Sequence, residues 1–185
     1  MTLSLVAEQE LIRRAQWGDD LAFEELIEAY SPPLYRTIRR LCRDDGEAES
    51  VLQETFWRLW RNLAHYQDDR QIFPYLVTIA VNQLRDQWRS ERWLDDASPA
   101  DSTEDLAQDS PLPESLVQAR QDREQVVGAI QKLPENYKAV IVLRYQANLS
   151  YEEIATALNL PVNTVRVHLH RAKALLRQLL ENDHG

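Results

Sequence analysis

Residues 150–180, SYEEIATALNLPVNTVRVHLHRAKALLRQLL, hold two helix signals joined by a very short turn. Ser150 suits the cap of the first helix, and Glu153, three residues on, can reach back to the free amide of Ser150; together they form a capping box. Ile154, Ala155 and Leu158 then share one face. Asn159 and Leu160 make the turn, and Pro161 fits the first position of a second helix, where its missing N–H costs no hydrogen bond. Val165, Leu169, Ala172, Leu176 and Leu179 recur at 3.6-residue spacing and form the inward stripe. Advancing about 100° per residue puts Asn163, Arg166, Val167, His170, Arg171 and Arg177 on the opposite side. Between Pro161 and Leu180 stand the cations Arg166, Arg171, Lys173 and Arg177, with no Asp or Glu among them. An isolated basic helix is most simply a solvated face. Here capping box, tight turn, small Ala155 and an acid-free second helix combine, and the combination favours a helix-turn-helix that enters a DNA major groove.

Two further helices precede this pair and would buttress it: Val117 to Lys132, broken by Leu133-Pro134, then Glu135 to Gln146, ENYKAVIVLRYQ, with Val140, Ile141 and Leu143 apolar. Before them, from Glu91 to Leu116, periodicity collapses into ERWLDDASPADSTEDLAQDSPLPESL, rich in Asp, Ser and Pro. Such composition reads as a flexible acidic linker. As coil it would span roughly 25 to 30 Å on average and up to about 85 Å extended, enough to set two small domains on separate duplex segments. Its acidity suits either plain solvation or imitation of nucleic acid in a basic channel.

The N-terminal part repeats the helical spacing. EQELIRRAQW, Glu8 to Trp17, reads as a short amphipathic helix ended by Gly18, with Asp19 or Asp20 capping the next. Leu21, Phe23, Leu26, Ile27, Tyr30, Leu34, Ile38 and Leu41 carry the apolar pattern across Ser31-Pro32-Pro33, where the two prolines should kink or split the helix. A third helix spans Asp44 to Leu63, DDGEAESVLQETFWRLWRNL, with acids early and arginines late, as the helix dipole favours. Val51, Leu52, Thr55, Phe56, Leu59 and Leu63 form its core side. Gln53, Glu54, Trp57, Arg58, Trp60 and Arg61 remain outside, and two tryptophans there either mark a protein partner or tuck against neighbouring helices. The polar loop AHYQDDRQI, Ala64 to Ile72, leads into FPYLVTIAVNQLRDQWR, Phe73 to Arg89. This fourth helix turns Leu76, Ile79, Ala80 and Leu84 inward and presents Asn82, Arg85, Asp86 and Arg89. Tyr66, Phe73, Tyr75 and Trp88 stand nearby. Rings interleaved with Arg and Asn are what binding unstacked bases needs; rings at helical spacing equally suit a core.

At 185 residues and 44% apolar content the chain can form one ordinary domain or two small ones. Only four glycines interrupt it, and no convincing alternating strand appears, so the expected fold is all-α: two small helical domains joined by the acidic linker, the C-terminal one a helix-turn-helix. Neither a secretory leader nor a bilayer-spanning run is evident, and a lone cysteine, Cys42, excludes an internal disulfide and fits a reducing cytoplasm. The net charge of −9 is unevenly spread: 11 cations against 15 anions in residues 1–90, 2 against 8 in 91–120, and 8 against 7 in 121–185. A small reading head on an acidic body implies that another macromolecule supplies much of the grip on DNA, because phosphate neutralisation carries most non-specific affinity.

Taken in order, AFEELIEAYSPPLYR, ESVLQETFWRLWRNL, FPYLVTIAVNQLRDQWR and residues 133–180, LPENYKAVIVLRYQANLSYEEIATALNLPVNTVRVHLHRAKALLRQLL, resemble an extracytoplasmic-function sigma factor of the sigma-70 family, over nearly the whole chain. The resemblance implies a region 2 domain in residues 1–92, a linker in 93–116 and a region 4 domain in 117–185. It implies that Gln53, Glu54, Trp57, Arg58 and Arg61 lie at the clamp of the largest subunit of bacterial RNA polymerase, and that the C-terminal domain meets the flap of the second-largest. Tyr66, Arg70, Gln71, Asn82, Arg85, Asp86 and Arg89 would open the promoter minus-10 element and capture a flipped base. Arg166, Val167, His170 and Arg171 would read the minus-35 duplex, with Asn163, Thr164 and Lys173 nearer phosphate. Promoter DNA, polymerase core and an anti-sigma protein are the implied partners, with no cofactor, no metal, no membrane insertion and a cytoplasmic location.

The chain departs from the common pattern at four places. The loop reads QDDRQI where Gly or a small residue is usual, Pro74 and Tyr75 replace a basic or small residue and a Trp, His168 stands in an Arg position and Asn163 in a Gly position. Two other classes stay in view: a free-standing regulator, against which the acidic body and missing ligand or receiver domain count, and an adaptor acting only through proteins by Trp57 and Trp60. An enzyme fits least. No glycine-rich phosphate loop or triad is present, and His168 and His170 diverge by about 160° on a helix, which makes no metal pair.

Overall fold

The computed structural model describes residues 3–66, 71–92 and 120–182, and those residues are helical with no strand among them. The helices are α1 (Leu5–Gln16), α2 (Asp20–Arg39), α3 (Asp45–Asn62), a 3₁₀ turn (Leu63–His65), α4 (Phe73–Arg92), α5 (Arg120–Gln131), α6 (Glu135–Tyr145), α7 (Tyr151–Leu158) and α8 (Val162–Asn182). One compact unit holds α1 to α4; the other holds α5, α6, α8 and most of α7. Most of the expected linker lies outside the described residues. No described helix is long and apolar enough to cross a membrane.

In the first unit the starts of α2 and α3 are built as their acids suggest. Ser4 caps α1, one turn earlier than the spacing indicated; Asp19 caps α2 through Ala22 N (3.2 Å) and Asp44 caps α3 through Glu47 N (2.8 Å). Gly18 takes φ +88° in the α1–α2 turn, a conformation open to glycine at little cost, and Arg14 Nε bonds Asp19 across it at 2.8 Å. α2 packs against α1, α3 and α4 along Leu26, Tyr30, Leu34 and Ile38, all buried. Pro32 and Pro33 do not split it: α2 runs unbroken from Asp20 to Arg39. Missing amide bonds and ring clashes cost a helix about 3 kcal/mol or more, and burial of four large side chains spanning both sides of the prolines, at about 1.5–3 kcal/mol each, offsets that.

Three features of this unit are absent from the periodic pattern. Ile72, in the polar loop, is fully buried, as are Val77 and Val81 on α4 beside the expected Leu76, Ala80 and Leu84. Glu8 is a fully buried carboxylate. It accepts the Tyr30 hydroxyl and, at 2.7 Å, the backbone N–H of Ile72. Gln16 donates from Nε2 to the carbonyls of Leu63 (2.9 Å) and Tyr66 (2.8 Å).

In the second unit α8 packs against α5 and α6. Ala139 to Leu143 on α6 are all buried, so this helix is enclosed on more than the Val140, Ile141, Leu143 face.

Candidate nucleic-acid and polymerase interfaces

The capping box forms as its residues predict. Ser150 N donates to Glu153 Oε2 at 2.7 Å, and Glu153 N donates to Ser150 Oγ at 3.2 Å. Asn159 turns the chain with φ +50°, in the left-handed region that Asn tolerates better than most residues. Pro161 stands one residue before α8 and not at its first position; its carbonyl accepts Val165 N at 3.2 Å. Val165, Leu169, Ala172 and Leu176 are buried and Leu179 is half-buried, so the stripe faces the core.

On the other side Asn163, Arg166, His170 and Arg177 are exposed, while Thr164, Val167 and Arg171 are half-buried. Lys173 departs from its expected place toward phosphate. It is 8% exposed, and its Nζ lies 5.8 Å from the Tyr145 ring centre. The reason is register: Lys173 directly follows Ala172 in the inward stripe, and its long stem lies along apolar surface. His168 also turns in. It meets Tyr137 edge-on at 5.4 Å, its Nδ1 is buried without a hydrogen-bond partner, and burial lowers its pKa. Two residues outside the expected set join the outer face. Tyr151 has the Arg144 guanidinium 5.0 Å and the Arg166 guanidinium 5.9 Å from its ring centre, and Arg144 is held by the Leu149 carbonyl at 2.8 Å. A ring between two cations restricts where Arg166 points. The signal was Tyr151 one position after the cap, at the mouth of the reading helix pair.

On α3 the two tryptophans are not tucked away: Trp57 is 50% and Trp60 58% exposed. Arg61 lies 4.5 Å over the Trp57 ring, and Arg58 bonds Glu54 at 2.7 Å. Gln53, Arg58 and Arg61 are exposed and Glu54 half-buried, so the expected outer residues share one continuous amphipathic surface.

Around α4, Asn82 and Asp86 are exposed and Arg85, half-buried, reaches Asn82 Oδ1 at 3.5 Å. Gln71 is exposed. Arg70 and the Arg89 side chain lie outside the described residues. The rings differ in what they meet. Phe73 stacks with buried Tyr30 at 6.1 Å, whereas Tyr66 and Tyr75, both half-buried, lie 5.1 Å apart. Cys42 is buried, and burial pushes its thiol up to about 12. Among the described residues no cluster of His, Cys, Asp and Glu could hold a metal ion.

Comparison with known proteins meets this geometry on both units. Residues 26–94 match the sigma-70 region 2 family and residues 123–176 match sigma-70 region 4. The ECF RNA polymerase sigma factor SigW of Bacillus subtilis is 33% identical over 179 residues, covering 92% of this chain and 95% of that one. The RNA polymerase sigma-H factor of Pseudomonas aeruginosa is 32% identical over 181 residues, 94% of each chain. Among solved structures, CnrH in complex with the cytosolic domain of CnrY superposes with a TM-score of 0.68 at 26% identity, covering 96% of this chain and 99% of that one. The sigma factor RpoE of Bartonella quintana, in complex with the anti-sigma factor NepR, shares the fold at a TM-score of 0.63 and 20% identity, over 86% and 96% of the two chains. With both regions matched in order and full-length relatives above 30% identity, this chain belongs to the sigma-70 family as an extracytoplasmic-function sigma factor, a subunit that directs RNA polymerase to promoters.

Proposed function

We propose that the outward face of α8 reads the minus-35 element as duplex. Arg166, Val167, His170 and Arg171 meet base edges there, Asn163 and Thr164 lie nearer phosphate, and Tyr151 with Arg144 orients Arg166. The carrying observation is that from Val162 to Leu180, a stretch with no acid, the outward face exposes Asn163, Arg166, His170 and Arg177, on a helix whose other side is packed into the core. Arg171 pairs with a guanine O6/N7 edge and Val167 with a thymine methyl, the contacts these side chains make best in a major groove.

Residues 1–92 act as region 2, 93–116 as linker and 117–185 as region 4. Tyr66, Arg70, Gln71, Asn82, Arg85, Asp86 and Arg89 open the minus-10 element and hold an unstacked base, the Tyr66–Tyr75 pair supplying the ring surface. Opening is driven by base capture, and no catalytic step belongs to this chain. The α3 surface with Gln53, Glu54, Trp57, Arg58 and Arg61 docks on the clamp of the polymerase largest subunit; its half-exposed Trp57 and Trp60 support this, since aromatic and Arg side chains dominate interface energies. Region 4 meets the flap of the second-largest subunit. An anti-sigma protein, as bound to the structurally similar RpoE of Bartonella quintana, holds the factor inactive in the cytoplasm.

The test is run-off transcription from a genomic promoter library with bacterial core polymerase, with and without the protein. Discrete starts that need the protein and share two spaced upstream motifs are expected. Duplex binding by the protein alone with no new starts would instead make it a free-standing regulator.

A further inference from the structure

Glu8 and Gln16 stand on one helix, about 12 Å apart along its axis and about 80° apart around it. From there they reach the two sides of the segment that joins α3 to α4. On the α3 side, Gln16 spends both hydrogens of one amide nitrogen on the carbonyls of Leu63 and Tyr66, at 2.9 and 2.8 Å. On the α4 side, Glu8 accepts the Ile72 N–H at 2.7 Å. Ile72 precedes the first residue of α4, and its carbonyl accepts Leu76 N at 3.0 Å; its own side chain cannot cap, so a carboxylate from α1 stands at that helix start. A fully buried carboxylate is costly unless hydrogen-bonded, and both oxygens of Glu8 are bonded, one to Ile72 and the other to Tyr30. α1 is itself fixed at the α2 turn by the Arg14–Asp19 pair.

We infer that α1 is a splint for base capture, with Glu8 and Gln16 as positioning residues that hold Tyr66 and Gln71, both ahead of α4, at a set separation. This rests on the minus-10 assignment above. Neither residue touches DNA; each acts through backbone groups next to the residues that do. A flipped base needs its ring partner and its edge partner in place together, and every backbone angle fixed beforehand is entropy not lost on capture. If freeing one side leaves a tenth of the molecules competent, apparent affinity for the single strand falls about tenfold.

The experiment uses holoenzyme assembled with wild type, Gln16→Ala, Glu8→Gln or Glu8→Ala, on a promoter identified by run-off. Binding of the single-stranded non-template minus-10 oligonucleotide is measured intact and with one abasic site at each position in turn. Wild type should lose affinity at the captured position. Gln16→Ala should bind the intact strand about tenfold more weakly yet match wild type on the strand already abasic there, with core affinity and minus-35 duplex affinity unchanged. Glu8→Gln keeps a carbonyl oxygen for Ile72 N–H and should restore most of what Glu8→Ala loses; if Glu8→Ala fails to fold, Gln16→Ala carries the test alone. An equal loss by Gln16→Ala on intact and abasic strands, or no loss on either, overturns the splint while base capture stands. A wild type indifferent to every abasic site overturns base capture itself.

Discussion

α8 and α4 both present polar side chains to solvent, and the two faces are built differently. On α8 the outward residues Asn163, Arg166, His170 and Arg177 stand opposite Val165, Leu169, Ala172 and Leu176, which are buried. That helix is aimed by its own periodicity, and α7, which leads into it, starts on a local box, Ser150 to Glu153. On α4 the exposed Asn82 and Asp86 share their surface with half-buried Arg85, and the segment leading in is held by Glu8 and Gln16, 64 and 50 positions from their backbone partners. Reading a duplex takes a stiff rod of known pitch. Holding a single unstacked base takes a segment whose shape comes from contacts distant in sequence.

The largest effects should come from the buried side chains that aim each face. Leu169→Ala removes a core side chain from α8, and Ile72→Ala removes one from the segment before α4. Each should cost about 2–5 kcal/mol of stability, read by urea unfolding. A cost for Ile72→Ala below about 1 kcal/mol would break the comparison, because the segment would then not be fixed by its fold.

Next in size is the Tyr30–Glu8 bond. Tyr30→Phe leaves one carboxylate oxygen buried without its hydroxyl, an expected loss of about 1–3 kcal/mol. Burial, then the bond to Glu8, raises the Tyr30 phenol well above its ordinary 10.0. The unfolded chain therefore releases this proton first: the stabilisation is full below pH 10 and is lost as pH rises past it. Cys42, raised from 9.0 to about 12 by burial, acts with the same sign from pH 9 upward. Unfolding at pH 8 and pH 10.5 should show a smaller alkaline loss in Tyr30→Phe than in wild type, with Cys42 and Tyr35, its phenol likewise raised by burial and the bond to Asp45, contributing to the remainder.

This contrast explains what the sequence revealed. The helices, their acidic caps, the capping box, the α8 stripe and the outer face of α3 follow from spacing and local hydrogen bonding, so they could be read in advance. Glu8 and Gln16 could not be, because a Glu or Gln on a short amphipathic helix reads as solvent-facing until its distant partners are known. Ile72 was hidden in a polar loop for the same reason. The prolines of α2 show the other direction: local rules kink or split a helix there, and with Tyr30, Leu34 and Ile38 buried the helix is not split. For α8 local rules ran out at Lys173 and His168, whose burial depends on Tyr145 and Tyr137 from α6.

On α8 itself, Arg171→Ala should cost about 1–3 kcal/mol in minus-35 binding and relax preference at one base pair, measured with a panel of single-substitution duplexes and holoenzyme. A loss equal on every duplex would move Arg171 from base edge to phosphate and leave Arg166 and His170 to carry specificity.

The smallest effect separates the two cations that sequence alone treats alike. Lys173 is nearly buried against Tyr145, whereas Arg177 is exposed. Lys173→Ala should therefore lower stability by about 0.5–1 kcal/mol through the lost ring contact and leave the salt dependence of DNA binding where it was. Arg177→Ala should do the reverse, if its guanidinium neutralises one phosphate: binding weakens on all sequences alike, and the slope of log affinity against log salt drops by about 0.9 with little change in stability. Titrating holoenzyme on one minus-35 duplex at several salt concentrations distinguishes them. A flattened slope for Lys173→Ala would mean that its ammonium swings out to phosphate on binding, and the inward face of α8 would then contribute to the grip on DNA proposed for the outward one.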